Sequence, residues 1–409
     1  MGRTPSAAEL LEDVARALVG GGAWGQRGQQ APRRALSLSD IIEASADEDS
    51  APVELYEAAS RPLVPRRPPR SGLGLVHLGV DSSSRDLVTP YADVVLSAVS
   101  ISGPGPVELC DYPSLYSPGC GGSGAPPFAY LVPHGPLDVP ELEGLSVVPA
   151  PADGVSQGFM YGLMSYARLS LESWALGGGP SLELARAYAE AGRRPIIMLD
   201  GPVFIAQGKG VGDLMMSRYE AVRRLEGAGF PVIGVVKRVE RSTLLSRAQG
   251  FLRLAEACGV RAAQGLLDSM LIERLASACG WDPSSPGRAY ATPKVMVRTD
   301  GVEKIVEYVI LSPSAWHPPG VRSRVYRVEY TPETRSLLEE EYGIDPVQAF
   351  LADSVSRQSP SPLSITLSDR RAKSLTASLK GLLAKAVVGL GGRVGYESEV
   401  ELAEEESEL

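Results

Sequence analysis

Histidine is scarce: 3 residues in a chain of 409, at His77, His134 and His317. They are dispersed, so no Ser-His-Asp arrangement can be argued from them. Cysteine is nearly as rare. The four thiols, Cys110, Cys120, Cys258 and Cys279, form no C-x-x-C pair. Together these absences speak against a structural zinc site. So few cysteines suit a reducing interior, and free thiols are expected, with a Cys110–Cys120 disulfide as the alternative. No apolar run reaches the ~18 residues of a transmembrane helix. Residues 1–20 carry Glu9, Glu12 and Asp13 and lack the basic and apolar regions of a secretory signal. No membrane partner and a cytoplasmic location are therefore expected. The Gly-rich segment QGKGVGD (207–213) lacks the G-x-x-x-x-G-K-[ST] spacing of a nucleotide-binding loop. It reads instead as a loop above a neighbouring site, with Lys209 available to touch a polyanion.

Glycine and proline are plentiful, at 44 and 33 residues, and belong in loops and linkers. The net charge is −9, but residues 397–409 hold seven Glu and no Lys or Arg. The rest of the chain is close to neutral, so the acidic balance does not exclude a nucleic-acid partner.

The periodicity predicts a helix over 6–18, a Gly/Gln-rich stretch, and a second helix over about 37–60. RPLVPRRPPR (61–70) packs four Arg and four Pro together and reads as an extended basic strap. Strands are predicted at Gly74–Val80, followed by an SSSRDL turn, then at Tyr91–Ile101 and Phe128–Val132. Helices at about 156–176 and 181–191 precede apolar strands at Pro195–Leu199 and Pro231–Lys237, with a helix at about 211–228 between them. Further helices are predicted at about 242–257 and 265–278, strands at 293–298, 303–311 and 321–330, and helices at about 333–352 and 369–389. This is an α/β pattern with a mixed sheet. Three segments are expected: a helical and linker extension over 1–70, a main domain over 71–395, and an acidic tail over 396–409.

Two carboxylates directly follow apolar strands: Asp81 in HLGVDSSSR and Asp200 in IIMLDGP. Strand ends are where α/β sheets present ligand groups, although Asp before small residues is also ordinary turn chemistry. Two central strands ending in Asp bring like charges together, which a cation between them would stabilise. Mg²⁺ and Mn²⁺ prefer such oxygen ligands. A third carboxylate is sought on the preceding helices. Glu183 lies 17 residues before Asp200, and Glu172 competes with it; either serves equally as a solvated helix face. Asp369 in ITLSDRRAKS reads as a helix-start residue or as a fourth ligand. Ser82, Ser83 and Ser84 can support the ligands. Lys237 and Arg238, at a strand end, can hold a phosphate.

Four blocks, VDSSSR (80–85), IIMLDGPV (196–203), VIGVVKRVERSTLL (232–245) and SPSPLSITLSDRRAKS (359–374), resemble the NurA family of archaeal and bacterial DNA-end-processing nucleases, in the family's order. The resemblance implies a ribonuclease-H-like core flanked by helices, cleavage of DNA with Mn²⁺ or Mg²⁺ (two ions), a homodimer, and work beside a hexameric HerA-type translocase in end resection and break repair. By motif, Asp81 and Asp200 match the family's metal-binding aspartates, and Glu183 matches its helical glutamate by spacing. In the last block the family's Tyr-Pro and following His are replaced by Ser359-Pro360 and, near the His position, Leu367 or Asp369. Asp81, Glu183 and Asp200 are thus the expected catalytic set, with Asp369 a further ligand. The alternative is a non-catalytic DNA-end or helicase adaptor on the same fold.

Overall fold

The structure is a computed structural model, and it describes residues 7–20, 51–103, 110–115, 124–135, 142, 144–151, 155–177, 179–204, 212–239, 241–280, 289–299, 302–312, 324–354 and 361–395. Lys209, Cys120, the 21–50 stretch and the acidic tail lie outside these residues. Among the described residues, no helix is long and apolar enough to cross a membrane.

The strands are β1 (Val53–Leu55), β2 (Val64–Arg66), β3 (Leu75–Val88), β4 (Ala92–Ser102), β5 (Cys110–Tyr112), β6 (Ala129–Pro133), β7 (Leu145–Val147), β8 (Arg194–Asp200), β9 (Val232–Val236), β10 (Ala289–Ala291), β11 (Val295–Thr299), β12 (Val302–Leu311) and β13 (Arg324–Tyr330). The helices are α1 (Ala7–Gly20), α2 (Gln157–Gly177), α3 (Pro180–Glu190), α4 (Gly212–Gly227), α5 (Leu244–Arg247), α6 (Gln249–Ala257), α7 (Asp268–Ala278), α8 (Pro332–Ser336), α9 (Pro346–Asp353) and α10 (Leu363–Gly389).

All strands join one mixed sheet in the order β1-β11-β12-β13-β9-β8-β3-β4-β6-β7, with β10 on β12 and β2, and β5 on β4. In its middle, β3 is antiparallel to β4 and parallel to β8, β8 is parallel to β9, and β4 is antiparallel to β6. β4, β8, β9 and the first half of β3 are buried because both faces of the sheet are covered. On one face, Leu171 and Ala175 of α2, Ala185 of α3 and Val222 of α4 pack on Val76, Leu78, Val80, Ile197 and Leu199. On the other, α9 and the start of α10 cover Ile196 and Met198, while Leu379 and Leu383 of α10, with α1, cover Leu87, Val94, Leu96 and Ala98.

Several expectations are revised. The first strand does not stop at Asp81. The SSSRDL segment continues it to Val88, because the whole of 79–88 pairs with β4 in a hairpin turned at Thr89. The helix expected over 37–60 is replaced, in its described part, by β1, which gains a partner in β11. The strap is extended as expected, but Val64–Arg66 is a strand on β10. The helix expected over 333–352 is divided: α8 runs into a π-helical turn at Leu337–Tyr342, then Gly343 adopts φ 70° and Pro346 opens α9. The last helix starts six residues earlier than expected, at Leu363 directly after Pro362. Cys110 is disulfide-bonded, against the expectation of free thiols, whereas Cys258 and Cys279 are free.

Candidate metal centre

Strand alternation decides which side chains meet. Val80 and Leu199 are partners on the parallel strands β3 and β8, and both face the α2 side. Their successors, Asp81 and Asp200, therefore both face α10, side by side at adjacent strand positions. Gly79, two residues before Asp81, lets α10 lie against the sheet. A Cβ on it would stand 2.3 Å from the Ser364 backbone. Further along, Thr376 of α10 donates a hydrogen bond to Ser83 Oγ at 3.1 Å. Between these two contacts Asp369, on the flank of the helix, reaches over the strand ends.

The result is that Asp81, Asp200 and Asp369 each offer a carboxylate oxygen within 4.8 Å of the others. Asp369 sits in the second turn of α10, so it is not the helix-start residue that the sequence also allowed. Its carboxylate accepts from Lys373 Nζ at 2.7 and 2.9 Å. Glu183 is exposed in the first turn of α3 and is not part of this group. Glu172 is buried, but it is turned to the opposite side of β3. It accepts from Ser82 Oγ at 2.5 Å and from the buried Arg218 at 2.6 Å.

The turn after Asp200 is held just as tightly. Gly201 adopts φ 135°, and Gly234 of β9 leaves room for the turn, since a Cβ there would lie 2.5 Å from Val203 N. Val203 N donates to the buried Glu329 at 3.1 Å, which Lys304 also contacts at 3.0 Å. Lys237, just past the end of β9, donates to Asp200 Oδ2 at 2.7 Å. Arg238 beside it is exposed. Of the strap arginines, Arg66 pairs with Asp345 at 3.1 Å and lies 3.5 Å from Glu307, while Arg61, Arg67 and Arg70 are exposed.

The electrostatics are those of crowded acids. Burial, together with the charges of Asp200 and Glu172, pushes the Asp81 carboxyl up to about 9. At neutral pH without metal it is protonated and hydrogen-bonded to Asp369. Burial raises Asp200 as well, against the pull of Lys237. Burial also works on Asp369, but the hydrogen bonds from Lys373 and Asp81 outweigh it and hold that carboxyl below its ordinary value. A divalent cation would replace the shared proton with charge. An all-oxygen donor set around a poorly neutralised cluster suits Mg²⁺ or Mn²⁺ rather than a thiophilic metal.

The NurA domain model matches residues 165–372, just over half of the chain. The chain belongs to the NurA domain family. Of the three clustered aspartates, Asp200 and Asp369 fall inside the matched NurA segment and Asp81 before it. Among solved structures, the NurA nuclease from Sulfolobus solfataricus is similar at 10% identity and a TM-score of 0.40, over 87% of this chain and 90% of that one. A search of curated proteins returns no match.

Two features of the site escaped the sequence reading. The Glu172–Arg218 pair joins helices 46 residues apart and had no local signal. The Lys237–Asp200 contact was within reach, because both residues stand at the ends of apolar strands that pair in parallel.

Proposed function

We propose that the chain is a metal-dependent deoxyribonuclease that hydrolyses phosphodiester bonds as an exonuclease and single-strand endonuclease. The observation that carries this reading is the convergence of Asp81, Asp200 and Asp369 within 4.8 Å in a NurA-family chain. The core is read as ribonuclease-H-like, supported by the run β6-β4-β3-β8-β9, antiparallel on one side of β3 and parallel on the other. We read the nuclease domain as 71–395, with β1 and β2 adding strands to its sheet and α1 packed against it.

Bound Mn²⁺ or Mg²⁺, as one or two ions, would supply a nucleophilic water and stabilise the leaving oxygen. The chain's own residues do the rest. Asp81 and Asp200 present oxygens from the rigid sheet, and Asp369 closes the group from the helix. Ser82 N–H donates to Asp81 Oδ1 at 2.8 Å and sets the orientation of that carboxylate. Lys237 neutralises Asp200 while the metal is absent. With a cation held by Asp200, the Lys237 ammonium would be available to a DNA phosphate, with Arg238 beside it. By family likeness, the working form is a homodimer acting with a HerA-type translocase in end resection.

The test is cleavage of linear and single-stranded DNA with Mn²⁺, Mg²⁺ or EDTA. Metal-dependent cleavage abolished by Asp200→Asn supports the reading. A folded, DNA-binding protein with no cleavage under any metal would favour the adaptor role.

A further inference from the structure

Helix α10 carries Asp369 but starts without a cap of its own. Its N-cap is Pro362, which makes no side-chain cap hydrogen bond. The first-turn amides of a helix need acceptors. Asp353, the last residue of α9 and fully buried, supplies one from outside the helix. Its Oδ2 accepts the Ser364 backbone N–H at 3.0 Å and the Ser364 hydroxyl at 2.5 Å. Its Oδ1 faces His77 Nδ1 at 3.8 Å, and His77 Nε2 lies 3.1 Å from the carbonyl of Ala349, one turn earlier on α9. His77, Gly79 and Asp81 alternate along one face of β3. The same strand that presents Asp81 therefore also receives the start of α10.

The spacing makes this anchor consequential. From Ser364 to Asp369 the helix rises about 7.5 Å, and from Gly79 to Asp81 the strand advances about 6.7 Å. Fixing Ser364 over Gly79 thus brings Asp369 level with Asp81. We propose that Asp353 is a positioning residue of the carboxylate centre: by anchoring Ser364 it sets the height of Asp369 over Asp81 and Asp200. This rests on the metal-site reading above. His77 serves as the buried floor of the anchor.

Crystal structures and Mn²⁺ titration calorimetry of the full chain separate the two ideas. Asp353→Ala should widen the gap between the Asp369 and Asp81 carboxylates and weaken Mn²⁺ binding at least tenfold. Asp353→Asn keeps an acceptor for Ser364 and should stay within threefold of wild type. Gly79→Ala pushes on the Ser364 backbone from below and should act like Asp353→Ala. Ser364→Ala deletes only the hydroxyl contact; it should fold and weaken binding about threefold, which keeps the test alive if Asp353→Ala does not fold. In a double-mutant cycle, Asp353→Ala should add nothing to the loss caused by Asp369→Ala, because it acts through that residue. Additive losses, or an unchanged Asp369–Asp81 separation in folded Asp353→Ala or Gly79→Ala, would overturn the proposal. The separation is read without metal. A wild-type protein that binds no Mn²⁺ would therefore sink the metal reading and leave the positioning claim to be judged by the structures.

Discussion

Lys237 Nζ lies 2.7 Å from Asp200 Oδ2, where it does for one carboxylate what a divalent cation would do for three. This ion pair makes metal binding a competition. Lys237→Met removes the competitor, so Mn²⁺ should bind at least as tightly as in wild type. Cleavage at saturating Mn²⁺ should fall about tenfold or more, because the variant loses the charge-assisted contact to a DNA phosphate, worth about 1.5–3 kcal/mol. Calorimetry and single-turnover cleavage check both halves. Weaker Mn²⁺ binding in the variant would show that Lys237 supports the site rather than competes for it.

Asp81 holds a proton in the metal-free fold up to about pH 9, because burial and the neighbouring carboxylates oppose its charge. The unfolded chain gives up that proton in the ordinary carboxylate range. Between the two values the folded state binds more protons, so stability must fall as pH rises. Metal-free melting temperature should accordingly decline from pH 5 to pH 9, and Asp81→Asn, which mimics the protonated form, should flatten that decline. Mn²⁺ must displace the same proton, so its affinity should rise over this window. Calorimetry in two buffers of different ionisation enthalpy should register close to one proton released per first ion bound.

Asp369→Asn distinguishes a ligand from a surface acid paired with Lys373. The side chain makes no cap, and an Asn amide oxygen can still accept the Asp81 hydrogen bond, so the change should cost no more than about 1 kcal/mol of stability. Mn²⁺ affinity and cleavage should both drop, by about tenfold or more. Unchanged metal affinity would confine the site to Asp81 and Asp200.

Glu172 and Glu183 should part company. Glu172→Gln leaves Arg218 buried beside a neutral partner, and breaking such a pair costs about 3–5 kcal/mol. A large fall in melting temperature is expected. Glu183→Gln alters an exposed side chain apart from the three aspartates and should change neither melting nor Mn²⁺ affinity measurably. A strong loss of Mn²⁺ binding in Glu183→Gln would show that α3 moves onto the site when metal binds.

The apolar runs around Asp81 and Asp200 were legible because strands buried on both faces leave an uninterrupted hydrophobic signature. The partnership of the two carboxylates was legible for the same reason: each follows such a run. Asp81 as a mid-strand residue was not. Ser82–Asp86 has the composition of a turn, and only pairing with β4 across the hairpin holds it extended. The true start of α10 was hidden by the Ser- and Pro-rich segment before it, since its anchor, Asp353, lies on another helix. Glu172 facing Arg218 and Arg66 facing Asp345 are likewise tertiary contacts without local spacing. The short strands β1, β2, β5, β7 and β10 are three residues each and owe their form to the neighbours they pair with.

Anomalous diffraction from crystals soaked in Mn²⁺ tests the central claim most directly. The expected result is a manganese peak at coordination distance from oxygens of Asp81, Asp200 and Asp369, with Lys237 swung away from Asp200. A fully occupied manganese site elsewhere, with Lys237 still on Asp200 and no peak among the three aspartates, would contradict it.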